Sequence, residues 1–265
     1  LVRSLIEILL PHHAWVDEFC GSAVLTLAKI LAPIEVLNDR HGELVNVFEQ
    51  LRSNQEELCR TIALTPYARD EFHSTRHLEK AQDPIECARR VFVGTMMTVN
   101  GTYSPRNNSG FSFSNSYSRQ RKEVRVNRWY KLPHRLADEV QRLRYVQIEN
   151  WDACEIVKMF SNRPTTLIYL DPPYLMERQH SYDVDDNTTV FHEKLLRAGK
   201  KSRSMMLISA YDTDLYNEIL GKDRNWSKVK MNAYKGGTDG VDLARNEIIW
   251  MNHRCRQARM KQRVP

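Results

Sequence analysis

The chain has 265 residues, 42% of them apolar, enough to bury the core of one large domain or of one domain carrying an insertion. No apolar run approaches the roughly 18 residues of a membrane-spanning helix, and the net charge of +6 hints at a polyanionic partner. Five scattered cysteines (Cys20, Cys59, Cys87, Cys154, Cys255) contain no CxxC pair, which points to reduced thiols in the cytoplasm and away from a disulfide framework or a zinc site.

Val2, Leu5, Ile6, Leu9 and Leu10 recur at helical spacing until Pro11, so a helix is predicted over 2–10. Arg3 and Glu7 inside it, with no small-residue cleavage site after it, argue against a secretory signal. His12-His13 reads as a solvated pair, and no other histidine spacing suits a metal. Residues 14–19 predict a strand running into Cys20-Gly21-Ser22-Ala23, then a helix over 24–31 with Ser22 as its N-cap and Pro33 beyond its end. Strand, small-residue turn and helix open a nucleotide-binding α/β fold, and Gly21 lets a ligand approach the backbone. A second strand over 34–37 leads to Asp39, 18 residues past Gly21. That is near the roughly 20-residue spacing at which such folds place a carboxylate for ribose hydroxyls. The competing reading makes Asp39 the N-cap of a helix over 42–51.

Helices are predicted over 54–64 and 84–97, their charged faces (Glu56, Glu57, Arg60; Glu86, Arg89, Arg90) solvated. Periodicity is lost over 100–115, where Tyr103, Phe111 and Phe113 are interleaved with Ser, Asn and Gly, and Asn107-Asn108-Ser109-Gly110 signals a hairpin or ordered loop. Arg119, Arg121, Lys122, Arg125 and Arg128 follow. Ten Lys or Arg stand against three acids over 100–144, so essentially all excess positive charge lies in this segment. Amides, aromatics and arginines side by side suit base edges and phosphates, which makes Arg106, Asn107, Asn108, Arg119, Arg121 and Lys122 candidate DNA contacts. The alternative is a disordered loop beside a solvated basic helix.

A helix over 132–143, a strand over 145–148 ending at Asn150-Trp151-Asp152, and a helix over 154–160 come next. The apolar strand 165–170 then stops at Asp171-Pro172-Pro173-Tyr174. An acid, two residues of fixed φ and an aromatic ring thus stand at a strand's C-terminal edge, where open α/β sheets hold ligands. The prolines carry no N–H, so the corner offers acceptors beside an aromatic face, which suits the exocyclic amino group of a planar base. A polar stretch over 175–187 is a candidate lid. Helices over 191–199 and 215–220 and strands over 205–209, 229–234 and 247–251 follow, the last two flanking a Gly236, Gly237, Gly240 loop. The basic tail 253–265 is expected to fray. Alternating strands and helices give one mostly parallel, Rossmann-like sheet from 1–52 and 145–265, interrupted by a mainly helical insertion over 53–144.

Phe19-x-Gly21-x-Ala23 after a strand, Asn38-Asp39 after the second, a central insertion and a later Asp171-Pro172-Pro173-Tyr174 together resemble the DNA adenine-N6 methyltransferases. The motif order is that of their Dam-like alpha group. The resemblance implies a catalytic domain dependent on S-adenosyl-L-methionine, with an inserted target-recognition domain. It implies site-specific methylation of the N6 amino group of an adenine flipped out of double-stranded DNA. Carried over by position, Asp17, Phe19 and Gly21 would line the cofactor pocket near its methionine moiety, with Asp171 bordering it. Asp39 would bind the ribose hydroxyls and Asp152 would lie near the cofactor's adenine. Asp171 and the Pro172 carbonyl, in a turn set by Pro173, would accept the amino hydrogens, while Tyr174 and Phe191 would lie against the base. A monomer, no metal, and a cognate restriction endonuclease as a further partner belong to the same expectation.

Ala23 stands where the family pattern usually has glycine and Cys20 precedes Gly21; both are small enough to keep the turn. The family's Pro-Gly-Gly-Lys-like motif would fall before residue 1. Cytosine-N4 enzymes usually place Ser at the position of Asp171, and amino methyltransferases acting on RNA more often place Asn. A DNA-binding module with a vestigial cofactor fold is the non-enzymatic alternative.

Overall fold

The computed structural model describes residues 2–75, 82–99, 110–114, 118–119, 122–175, 188–233 and 245–262. The chain runs through α1 (Val2–Ile8), β1 (Ala14–Glu18), α2 (Val24–Ala28), β2 (Ile34–Asn38), α3 (Gly42–Ser53), α4 (Gln55–Leu64), α5 (Arg69–Ser74) and α6 (Pro84–Met96). A two-stranded pair, β3 (Ser118–Arg119) and β4 (Lys122–Glu123), leads to α7 (Val124–Tyr130), α8 (Leu132–Leu143) and β5 (Val146–Glu149). After α9 (Ala153–Phe160) come β6 (Thr166–Leu170), α10 (Thr189–Lys201), β7 (Met205–Tyr211), α11 (Asp214–Tyr216) and a π-helical turn at Asn217–Gly221. β8 (Trp226–Ala233), β9 (Arg245–Asn252) and α12 (His253–Gln262) close the described chain.

Two compact units result, one from Leu1–Arg40, Glu149–Gln179 and Asp185–Pro265, the other built on His41–Ile148. The divisions fall at 40 and 148 where the sequence suggested 52 and 144. The reason is α3, which buries Val45, Val47, Phe48 and Leu51 and packs with α4, α6 and α8. In this second unit α8 buries Leu132, Leu136, Val140 and Leu143, and the buried Trp129 indole donates to the Thr65 carbonyl at 2.8 Å. The charged face expected on α6 is only partly solvated, because Arg89 reaches Glu86 at 2.6 Å and Glu71 at 2.8 Å.

In the first unit β2, β1, β6 and β7 lie side by side in parallel, and β9 and β8 complete that edge antiparallel. The mostly parallel sheet read from the sequence is thus present, with an antiparallel far edge. Every residue of β1 and β6 is buried; β6 accordingly reads as a nearly continuous apolar run, whereas β1 ends on the buried acids Asp17 and Glu18. Successive side chains still go to opposite faces. Trp15, Leu167, Tyr169 and Leu207 pack with Leu5, Leu25 and Cys255 on one side. Val16, Ile168, Leu170 and Ile208 pack with Ile156, Val157, Leu195 and Leu196 on the other.

Two local expectations change. The helix foreseen over 24–31 ends at Ala28, and its N-cap is Ala23 in a left-handed conformation, with no side-chain cap from Ser22. Lys29 leaves the helix in extended geometry and turns inward to meet Glu35 at 2.5 Å, both side chains almost fully buried, with the ammonium 5.1 Å from the Trp15 ring. The described part of the basic tail, His253–Gln262, is the helix α12, in which the Cys255 amide donates to Asn252 Oδ1 at 3.2 Å and the thiol donates to the Met206 carbonyl. Among the described residues no helix is long and apolar enough to cross a membrane.

Register sets the position of the site. Glu18 lies opposite Asn38 on one side and Leu170 on the other. The residues that follow these three strands, Phe19, Asp39 and Asp171, therefore emerge at the same edge of the sheet.

Candidate active site

The loop after β1 is held in an unusual backbone conformation. Phe19, Gly21 and Ala23 all have positive φ, at 62°, 50° and 54°. Glycine adopts this freely, whereas Phe and Ala give up of order 1 kcal/mol each. Hydrogen bonds fix the path: the Cys20 amide donates to the Asn38 carbonyl at 3.0 Å and the Ala23 amide to the Cys20 carbonyl at 2.7 Å. The Gly21 amide donates to Asp39 Oδ2 at 2.9 Å. Asp39 is itself placed by Asn150, whose side-chain amide donates to its carbonyl at 2.6 Å. It does not cap α3, since His41 occupies the N-cap position, with no side-chain capping bond. A Cβ added at Gly21 would meet no atom of the described residues within 4 Å, so among them the space over the loop is open.

Carboxylates gather along this edge. Asp17 is 3% exposed and its Oδ2 accepts from the Thr26 hydroxyl at 2.5 Å; the Trp15 indole donates to the same hydroxyl at 2.7 Å. Burial pushes the Asp17 carboxyl up to about 7 against the Thr26 bond, and the charges of Asp171 and Asp39 add to the rise. Glu18, on the opposite face of β1, accepts from Asn38 Nδ2 at 2.6 Å, and Asn38 Oδ1 accepts from the Trp151 amide at 2.9 Å. Glu18 Oε2 is buried with no hydrogen-bond partner among the described residues, and desolvation raises this carboxyl well above its ordinary value. Asp152 caps α9, its Oδ1 accepting from the amides of Cys154 at 2.9 Å and Glu155 at 3.3 Å. Sequence reasoning passed over Glu18 and gave Asn38 no role beyond its place in the motif with Asp39. Two adjacent acids inside a strand buried on both faces were the available signal, because they cannot both reach water.

Asp17 makes stability depend on pH. The folded protein holds its proton to about pH 7, whereas an aspartate carboxyl in water releases it near 3.8. The folded state is therefore the better proton binder in that window and loses stability as pH rises through it. Asp17→Asn keeps an acceptor for Thr26. It should stabilise the ligand-free protein above pH 7 by roughly 1–2 kcal/mol in denaturant titrations and flatten the profile below it. A pH profile matching wild type would count against the raised carboxyl.

The Asp171 corner follows β6. Desolvation and then the charge of Glu247 push the Asp171 carboxyl up to about 6, against hydrogen bonds from Tyr174, Ser209 and Tyr169. Pro172 is buried and Pro173 half-buried. The Tyr174 hydroxyl donates to Glu247 Oε1 on β9 and lies 3.5 Å from Ser209 Oγ on β7. Its ring stacks on Tyr211, with centroids 4.1 Å apart and planes at 25°. One face of the ring expected to receive a base is thus covered by protein. Phe191 meets Phe19 edge-on at 6.1 Å, so these two rings and the Gly21 loop are neighbours. Glu247, Ser209 and Tyr211 were missed from sequence, as they come from strands far along the chain.

Asp39 braces the glycine loop, and the buried carboxyls of Asp17 and Glu18 precede it in β1. Such a set fits a ligand that brings a positive charge and hydroxyl donors, which S-adenosyl-L-methionine carries as a sulfonium and a ribose.

The basic segment is seen in part. Arg119 is in register with Lys122 across the β3–β4 pair, and Lys122 is exposed. Glu123 accepts from the Val126 amide at 2.6 Å to cap α7 and lies 3.5 Å from Arg125. Phe111 and Phe113 both lie against the Arg69 guanidinium, at 5.0 and 5.3 Å. Arg106, Asn107, Asn108 and Arg121, the side chain of Arg119, residues 176–187 of the expected lid, and the Gly236, Gly237 and Gly240 loop lie outside the described residues.

Solved structures resemble the chain only distantly. The rRNA methyltransferase aviRa from Streptomyces viridochromogenes is 12% identical, with 97% of this chain and 87% of that chain covered and a TM-score of 0.41. A precorrin-8w decarboxylase from Methanobacterium thermoautotrophicum is also 12% identical, with 94% and 87% covered and a TM-score of 0.36. No curated protein matches. The family model is decisive: the one for D12 class N6 adenine-specific DNA methyltransferases matches residues 1–233, a span that holds the glycine loop, Asp39, the helical insertion and the Asp171 corner, and the chain belongs to that family.

Proposed function

We propose that this enzyme methylates an adenine flipped out of double-stranded DNA, within one recognition sequence, and that Asp171 with the Pro172 carbonyl accepts the two amino hydrogens. The order of its motifs, with glycine loop, insertion and then Asp171-Pro172-Pro173-Tyr174, supports assignment to the Dam-like alpha group. The observation that carries the proposal is the shared edge of β1, β2 and β6. Gly21, Asp39 and Asp171 emerge there together, so one ligand can meet the glycine loop and the acid corner at once.

S-adenosyl-L-methionine, the family's methyl donor, supplies a methyl group on a cationic sulfur when bound. Asp39 would take the ribose hydroxyls while bracing the Gly21 amide, and Asp17 and Phe19 would line the methionine end. Asp152 would border the cofactor's adenine with its second oxygen, since Oδ1 is committed to α9. An adenine amino nitrogen is a weak nucleophile because its lone pair is delocalised into the ring. Hydrogen bonds from both of its hydrogens to Asp171 and Pro172 would localise that pair, so that orientation and electrostatics supply the rate without a covalent enzyme intermediate. Extrusion of the base costs about a few kcal/mol, offset in part by stacking on the Tyr174 face opposite Tyr211. The unit built on His41–Ile148 would serve as the target-recognition domain, with Lys122, Arg119 and Arg121 on phosphates and Arg106, Asn107 and Asn108 on base edges. The first unit would be the catalytic domain.

Unmethylated plasmid DNA incubated with the protein and S-adenosyl-L-methionine, then sequenced with base-modification detection, tests this directly. N6-methyladenine in a single sequence context is the expected result. N4-methylcytosine, or no modification by a protein that still binds DNA, would replace the proposal with one of its alternatives.

A further inference from the structure

We propose that Glu247 is a positioning residue for methyl transfer, holding the Tyr174 hydroxyl so that this ring is clamped on Tyr211 beside Asp171 before a base arrives. The inference rests on the reading of Asp171 given above. Glu247 sits on β9, outside the span matched by the family model, and is 6% exposed. Register puts it directly across from Tyr211 on β7, so acid and stacked ring share one strand crossing. Its Oε1 accepts from the Tyr174 hydroxyl and from Ser209 Oγ, the latter at 3.3 Å. A flexible tyrosine at a strand exit is therefore fixed at both ends, its hydroxyl by Glu247 and its ring by Tyr211 at 4.1 Å. Fixing the ring in advance removes ordering entropy that would otherwise be lost when a base stacks on it.

The same carboxylate also acts on Asp171 through space. The groups that face Asp171 are Asp17 from β1, Tyr169 from β6, Tyr174 in its own turn, Ser209 from β7, Tyr216 from α11 and Glu247 from β9. Glu247 contributes the largest charge effect, and its sign is repulsive, so it holds the Asp171 proton on to higher pH. Removing that charge lets Asp171 ionise at lower pH, which moves the acid limb of the rate profile downward. A purely structural role for Glu247 would leave that limb where it is.

The test uses single-turnover methyl transfer from tritiated S-adenosyl-L-methionine to unmethylated plasmid DNA, with the full chain. Glu247→Ala and Tyr174→Phe should each slow transfer by about tenfold or more. The double variant should be no more than about twofold worse than the slower single one, because both remove the same bond. Glu247→Gln, which keeps an acceptor in place if the alanine variant folds poorly, should shift the acid limb down by about half a pH unit. Multiplying losses in the double variant, single variants as fast as wild type, or an unmoved acid limb in Glu247→Gln would each overturn the proposal. Asp171→Asn is run alongside: retained transfer there sinks the reading of Asp171 itself, whereas loss there with a failed cycle sinks only the role of Glu247.

Discussion

Asp171→Asn is expected to slow methyl transfer to unmethylated DNA by a factor of about 10²–10³ or more, the usual cost of one preorganised polar group at a reacting centre. Asparagine has nearly the same shape and keeps one acceptor oxygen. It replaces the other oxygen with an N–H₂ donor and removes the charge that would polarise the amino group. Folding should not suffer. Desolvation and Glu247 already raise the wild-type carboxyl to about 6, so ionising it in the ligand-free protein is a cost that asparagine avoids. A melting temperature at pH 8 equal to or above wild type, together with lost transfer, is the expected pair of results. Turnover within about tenfold of wild type would remove Asp171 from the chemistry.

The second large effect is expected at Asp39. Asp39→Ala removes the acceptor of the Gly21 amide at 2.9 Å and, on the proposed reading, the partner of the ribose hydroxyls. Hydrogen bonds to a charged group are worth about 1.5–3 kcal/mol, so S-adenosyl-L-methionine should bind about 10–100-fold more weakly in calorimetric titration. The loop itself has further support from the Cys20 and Ala23 amides, so global unfolding should change little by comparison. Affinity within about threefold of wild type would show that Asp39 serves only the loop.

The parts legible from sequence share a physical cause. β6 is buried on both faces, so its apolar character is nearly continuous and needs no knowledge of partners. The glycine turn and Asp39 could be paired because a nucleotide-binding fold fixes their spacing in the chain. What escaped depends on encounters between distant segments. Tyr174 and Glu247 are 73 residues apart, and nothing local marks either as the other's partner. Arg89 looked solvated beside Glu86 because its second acid, Glu71, comes from another helix. The tail looked frayed because its composition is basic, yet as far as Gln262 it is the helix α12, with the buried Cys255 bonded to Asn252 and Met206. Ser22 lost the cap position to Ala23 because the strained loop, rather than capping preference, sets where α2 starts.

The parallel pairing of β1 with β6 also governs how the protein can assemble. Ala14 has Thr166 as its partner, so β1 cannot complete its neighbours until the whole insertion between them has been made. At about 5–20 residues per second, synthesis of that stretch takes on the order of ten seconds. Throughout that interval β1 and β2 have open edges and apolar surface on the nascent chain, while the helical unit, whose contacts are nearer in sequence, can already form. The pairing of β1 with β6 is therefore expected to form late, after the helical unit has had time to fold.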